Sequence, residues 1–263
     1  MSEPFDALIR ELDAWGNASR VATLWWRDDD AVEDTYALRR LLALAEAHDA
    51  PVALAAIPAL VKPTLSDALR TARRASILQH GYAHINHAPR GAGNGAWELG
   101  PHQPKPVVLA ELQRGRDILD AQFGPRFVPA ITPPWNRIDP ALFTELSRLG
   151  FIGVSTFGAR AAIYPVEGFI QANCHIDIVK WKRDRQFVGA ARAVADIVAH
   201  LAARREARSD PDEPTGLLTH HLALDDAAWD FFEALARTLK SHSAARWLTA
   251  AGIFGDAREA GAA

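Results

Sequence analysis

Ser76-Ile77-Leu78-Gln79-His80-Gly81-Tyr82-Ala83-His84-Ile85-Asn86-His87 starts as a short apolar run and ends in three histidines within eight residues. Only 10 histidines occur in the 263-residue chain, so this is a local concentration. Ile77-Leu78 reads as the end of a buried strand, and Gly81 breaks the pattern directly after His80, placing the histidines on the loop that leaves the strand. Loops at strand ends are where chemistry usually sits. His80 and His84 have the spacing that lets two imidazoles converge on one cation, across a helical turn or from a tight loop. Ordinary surface or hydrogen-bonded histidines account equally well for this spacing taken alone.

The rest of the chain shifts the balance toward a metal. Leu24-Trp25-Trp26-Arg27-Asp28-Asp29-Asp30 is a second apolar run, and it ends in three consecutive carboxylates. Adjacent like charges at the end of a buried strand repel and lose solvation, a cost that a nearby cation relieves. A helix N-cap or an acidic turn is the plainer account of an Asp run, of Asp30 above all. Phe127-Val-Pro-Ala-Ile-Thr132 runs into Pro133-Pro134-Trp135-Asn136, where two prolines fix a rigid turn able to hold a backbone N–H at a defined point. Gly216-Leu-Leu-Thr-His220-His221 is another apolar run that terminates in histidines.

Between these strands lie helical patterns, at about 35–48, 63–73, 107–123, 140–149, 188–207 and 225–240, with a lead-in helix within 1–20. Strands that alternate with helices predict a parallel sheet, and at this length one domain over 1–263 that closes like a barrel, with a frayed tail at 255–263. All strand C-termini then open on one rim, so the Asp run, the His80–His84 pair, the Pro-Pro-Trp turn and His220-His221 share one mouth.

Other stretches add less. Residues 88–106 carry four Gly and four Pro, too many breakers for a regular element. A flap over the histidines, offering Trp97 or Glu98 to a ligand, is the expectation there. In Ala172-Asn-Cys-His-Ile-Asp-Ile-Val-Lys-Trp181, strand periodicity puts His175, Asp177, Val179 and Trp181 on one face, a polar pair that would line the site or be a satisfied buried pair.

With 29 Lys+Arg against 32 Asp+Glu, no global basic field exists to draw in nucleic acid. The single cysteine, Cys174, excludes a disulfide framework and a zinc site built mainly from Cys, and reads as a small core hydrophobe. No 18-residue apolar run and no apolar leader occur, so no membrane span is expected and the chain reads as soluble and cytoplasmic.

Taken together these segments resemble the polysaccharide deacetylases of the NodB-homology group, carbohydrate esterase family 4. Trp26-Arg27-Asp28-Asp29-Asp30 resembles the family's Thr-Phe-Asp-Asp-Gly motif, and His80-Gly-Tyr-Ala-His84 its His-x-x-x-His motif. Thr132-Pro133-Pro134-Trp135 resembles Arg-Pro-Pro-Tyr, and Leu218-Thr219-His220 resembles Leu-x-His. The resemblance spans roughly residues 20 to 225 and implies an α/β fold, a single-domain distorted (β/α) barrel of TIM-barrel type. It further implies that Asp29, His80 and His84 bind a divalent metal, most plausibly Zn²⁺, with Asp28 as general base and His220 as general acid. Trp135, on the turn with Pro134, would help bind the oxyanion through its backbone N–H. Tyr82 and Trp181 stand among the aromatics suited to a sugar face, with Asp177, His175 and Arg27 in support.

Three departures stand out. The family's motif-three Arg is Thr132, so the group orienting the base must come from elsewhere, with Arg27 and Arg137 as candidates. Its Asp-Trp pair reads Lys180-Trp181, which leaves Asp177 as the partner that tunes His220. The triple Asp also admits a register one residue later, with Asp29 as base and Asp30 as ligand; the earlier register is favoured. The implied activity is hydrolysis of an N- or O-acetyl group on a carbohydrate or related small acetylated compound. Another metal-dependent barrel amidohydrolase, or a metal- and sugar-binding protein that has lost turnover, are the rivals.

Overall fold

In the computed structural model, which describes residues 3–89, 91, 93, 95–181 and 185–255, the run that ends in three carboxylates is a single long strand. Helix α1 (Glu3–Asn17) leads into β1 (Ala22–Ala31), so the Asp run lies inside the strand and not beyond its end as the sequence pattern implied. There follow α2 (Tyr36–His48), β2 (Val52–Ala56), α3 (Pro63–Leu69), β3 (Ala75–His80), α4 (Lys105–Phe123) and β4 (Phe127–Thr132). Short elements come next: α5 (Phe143–Arg148), β5 (Gly153–Val154), β6 (Ile170–Gln171), β7 (Ile176–Asp177), and the antiparallel pair β8 (Val179–Lys180) and β9 (Gln186–Phe187). The chain closes with α6 (Ala190–Arg205), β10 (Thr215–Thr219), α7 (Asp226–Ser241), β11 (Ala245–Trp247) and α8 (Ala250–Phe254). The expected tail at 255–263 falls, past Gly255, outside the described residues.

The strands form one curled sheet in the order β6-β5-β4-β3-β2-β1-β10-β7, with β11 paired to the start of β1. Every strand-to-strand pairing in it is parallel, which gives the distorted (β/α) barrel. Parallel strands covered by crossover helices are buried on both faces, and β2 has no exposed residue. Strand alternation then sorts β1. Leu24 and Trp26 face outward into the main core with Leu38, Leu54, Leu217 and Phe232, while Trp25 faces the barrel interior with Leu78, Cys174 and Leu218. Phe254 of α8 plugs the lower end, edge-on to Trp25 at 6.1 Å.

Near that lower end, Arg204 donates to the Thr23 carbonyl (2.8 Å) and to the Thr215 hydroxyl (3.0 Å), and His200 contacts the same hydroxyl at 2.9 Å. Burial, followed by the charges of His175 and Arg204, pushes His200 down to about 3. The folded state therefore resists a proton that the unfolded chain accepts below about 6.5, so this residue removes stability as pH falls from about 6.5 toward 3. Thermal melts from pH 7 to pH 4 are expected to show a shallower acid decline for His200→Gln than for the unaltered protein. Parallel declines would show that His200 does not carry this part of the acid sensitivity. Among the described residues, no helix is long and apolar enough to cross a membrane.

Candidate active site

Three neighbouring aspartates of β1 end up in three different environments. Asp28 continues the outward alternation of Leu24 and Trp26. Its Oδ1 meets His221 Nδ1 at 2.5 Å, and its Oδ2 accepts from the Thr219 hydroxyl at 2.6 Å, which in turn accepts from Trp26 Nε1 at 2.8 Å. Asp29 points inward with Arg27, whose fully buried guanidinium grips it through Nε to Oδ1 at 2.9 Å and Nη2 to Oδ2 at 3.0 Å. Regular alternation would return Asp30 to the outer face. Instead the pairing with β2 slips by one residue between Asp29 and Ala31, and Asp30 takes a left-handed φ of 73°. That bulge re-aims Asp30, so that Asp29 and Asp30 line the same cavity.

Asp30, not Asp29, meets the two histidines. Its Oδ1 lies 3.3 Å from His80 Nε2 and 3.5 Å from His84 Nε2, while the Asp29 carboxylate is taken up by Arg27. The carboxylate beside the histidines is thus the ligand of the later register, Asp30, and not the Asp29 of the favoured one, and the bulge is the physical reason. Asp30, His80 and His84 are the one His/Cys/Asp/Glu group among the described residues with donor atoms close enough to hold a metal ion, all within 4.8 Å of one another. The donors fit such an ion. Asp30 Oδ1 is buried with no hydrogen-bond partner, and His80 Nδ1 sits 2.9 Å from the Thr132 carbonyl, which fixes a proton there and leaves Nε2 as the ring atom turned to Asp30.

Charge in this corner is finely opposed. Burial disfavours ionised Asp30, but its contact with His80 and the charges of His80, His220 and His84 outweigh it and hold the carboxyl well below the usual range. Burial also works against a charged His80, and the charges of Asp29 and Asp30 overcome it and raise its pKa. His84 is lowered by burial and by the charge of His80. Two imidazoles and a carboxylate thus compete for protons in a space where one divalent cation satisfies all three.

The loop carrying His84 is held by a residue that no motif names. Glu98, buried, accepts from the backbone N–H groups of Ala83 (2.7 Å), His84 (3.0 Å) and Tyr82 (3.3 Å). Gly81 enters the loop at φ 55°, and a Cβ there would lie 1.9 Å from Glu98 Oε2 and 2.7 Å from Pro134 Cδ. The segment expected to be a flap is therefore tied beneath the histidine loop at Glu98 and does not offer that carboxylate to a ligand. The only sequence signal was an acid in a Gly/Pro-rich loop following the histidines.

Facing Asp30 across a cavity of about 660 Å³ are Trp135, Asn136, Phe157, Asp177, Trp181, Arg185, His220 and Leu222. His220 Nε2 stands 3.9 Å from Asp29 Oδ2, and its buried Nδ1 has no partner. Trp181 packs edge-on against His220 with ring centres 4.5 Å apart, and its indole N–H donates to Asp177 Oδ2 at 2.7 Å. Burial raises the Asp177 pKa, and Trp181 links its carboxylate to the His220 ring. Trp135, at φ 55° on the Pro-Pro turn, packs 4.5 Å from His84. Of the two arginines expected as candidates for orienting the base, Arg27 is the one at the aspartate run. It grips Asp29 and donates to Asn136 Oδ1 (2.5 Å) and Ser155 Oγ (2.8 Å), whereas Arg137 lies over Trp97.

Some expected site residues lie elsewhere. His175 faces away from the cavity. Its Nδ1 accepts the Gly216 N–H at 3.0 Å, its Nε2 is 3.4 Å from Glu213, and its ring stacks on His200. The regular strand begins only at Ile176, so the period-two pairing of His175 with Asp177 does not hold. Asp28 lies on the outer face of the sheet. Tyr82 packs near Arg114, and Pro134 is buried against Gly81; neither lines the cavity.

No family model and no curated protein match this chain. Solved structures do. A protein of Mycobacterium smegmatis assigned as a polysaccharide deacetylase superposes with a TM-score of 0.67 at 16% identity, covering 92% of each chain. A peptidoglycan N-acetylglucosamine deacetylase, solved with an N-hydroxybenzamide compound, gives 0.58 at 14% identity over 92% of this chain and 95% of that one. A family 4 acetyl xylan esterase of Clostridium thermocellum, solved with a cobalt ion, gives 0.52 at 13% identity over 88% and 90%. Curled parallel sheet, helical cover and near-complete overlap agree: this chain has the NodB-homology fold of the polysaccharide deacetylases and family 4 carbohydrate esterases.

Proposed function

We propose that the chain is a metal-dependent hydrolase that removes an N- or O-acetyl group from a carbohydrate or related small compound. The observation that carries this is the convergence of Asp30, His80 and His84 beside an Arg27-clamped Asp29 that faces His220. Two imidazoles and one carboxylate are a donor set suited to zinc, and leave coordination positions open. Such a cation supplies Lewis acidity, polarising the acyl carbonyl and making water nucleophilic near neutral pH.

This chain's residues do the rest. Asp29, oriented by Arg27, accepts the proton of the attacking water. His220, across the cavity, delivers a proton to the leaving amine or alcohol. The Trp135 amide, on a turn stiffened by Pro133 and Pro134, is the proposed donor to the oxyanion. Trp135, Trp181 and Phe157 are partly exposed at the mouth, where an apolar sugar face can rest. A sugar-binding protein without turnover is the weaker reading, because the orienting Arg that Thr132 lacks is replaced from Arg27.

The test is acetate release from a panel of acetylated sugars, with chelation and metal add-back, beside elemental analysis. About one zinc-like ion per chain and metal-restored turnover are expected. Protein that takes up no ion even from added zinc would end this proposal.

A further inference from the structure

Among the described residues lining the cavity, Arg185 is the one Lys or Arg. Its guanidinium carbon lies 5.7 Å from the centre of the Trp181 ring, and no carboxylate among the described residues pairs with it. Trp181 is itself pinned by its indole bond to Asp177 and abuts His220. Arg185 is therefore an exposed cation at the rim, one aromatic ring away from the proposed acid. In sequence it ends the run Lys-Trp-Lys-Arg-Asp-Arg at 180–185, which carries three net positive charges in a chain whose formal net charge is −3.

The other lining charges are acidic: Asp29, Asp30 and Asp177. At the inner end Asp29 is taken up by Arg27 and Asp30 by the two histidines, whereas an anionic group at the rim meets a guanidinium with no described carboxylate on it. Arginine held over an aromatic face keeps its N–H fork for two-point binding of a carboxylate or phosphate. Such a cavity distinguishes the two ends of a ligand.

Resting on the hydrolase reading above, we propose that the acetylated substrate is anionic: a sugar bearing a carboxylate or phosphate that Arg185 binds at the rim, while the neutral acetyl end points to Asp30, His80 and His84. The charged group sets the orientation and Trp181 supports the ring between the two ends.

Calorimetric titration of metal-free and zinc-loaded protein with N-acetylglucosamine, 2-acetamido-2-deoxyglucuronic acid and N-acetylglucosamine 6-phosphate tests this. At least one of the two anionic sugars is expected to bind about tenfold more tightly than the neutral one. Which of them does so distinguishes a carboxylate from a phosphate. Arg185→Ala is expected to bring the anionic-to-neutral ratio toward unity, and Arg185→Lys to keep part of it. Equal affinities in the unaltered protein, or a ratio unchanged in Arg185→Ala, would overturn the proposal. Acetate release measured alongside separates the two questions, because failure to hydrolyse any of the three bears on the hydrolase reading while the binding ratio still decides this one.

Discussion

Asp29→Asn is expected to lower acetate release by about 10²–10⁴-fold while the protein still takes up its ion, because an amide keeps the shape of the side chain and cannot accept the proton. The neighbours give different results. Asp30→Ala removes a carboxylate from the group whose donor atoms lie within 4.8 Å, and ion uptake is expected to fail with turnover. Asp28→Ala leaves His221 buried without its counter-charge, although burial alone would favour the neutral ring and it is the Asp28 charge that raises it. Breaking such a buried pair costs about 3–5 kcal/mol, so melting temperature, not ion content, is the quantity expected to fall. Elemental analysis, acetate assay and thermal melts on the three variants separate these outcomes. A stable, ion-loaded Asp28→Asn protein with no turnover would show that the earlier register was right after all.

The second large effect concerns the loop beneath the histidines. Glu98→Ala strips one acceptor from three backbone N–H groups at once, and the position of His84 depends on them. Each buried donor left unpaired costs about 1–3 kcal/mol. Ion affinity is expected to weaken by about 10–100-fold, as when the partner that orients a ligand is lost. Gly81→Ala should act in the same direction by pushing on Glu98 and Pro134 from a left-handed position. Competition with a chelator of known affinity measures both, and Glu98→Gln, which keeps one acceptor oxygen, is expected to fall between. Unchanged affinity in Glu98→Ala would mean that the loop holds its shape without the carboxylate.

Much of this architecture was legible in the residues. Apolar runs separated by helical patterns gave the parallel strands, and four of those runs ended in chemistry that the barrel gathers on one rim. His80, His84, His220, Trp135 and Trp181 do come to one cavity or its edge. The register of the aspartates was not legible, because three identical residues carry no mark of where a strand slips, and the slip depends on pairing with β2. Glu98 was missed as the loop's anchor because its partners are backbone N–H groups, which every sequence has. His175 was placed on the wrong wall because alternation was carried through a segment in which regular strand covers only two residues.

The bulge at Asp30 has a further consequence for anyone moving this triplet to another scaffold. Along a flat ribbon, adjacent side chains look toward opposite hemispheres, so two consecutive acids can never share one hollow. Grafted without its left-handed kink, the same three letters would deliver one carboxylate inward and leave its companion stranded on the far side. The transferable unit is thus the sequence together with its local wrench of the backbone.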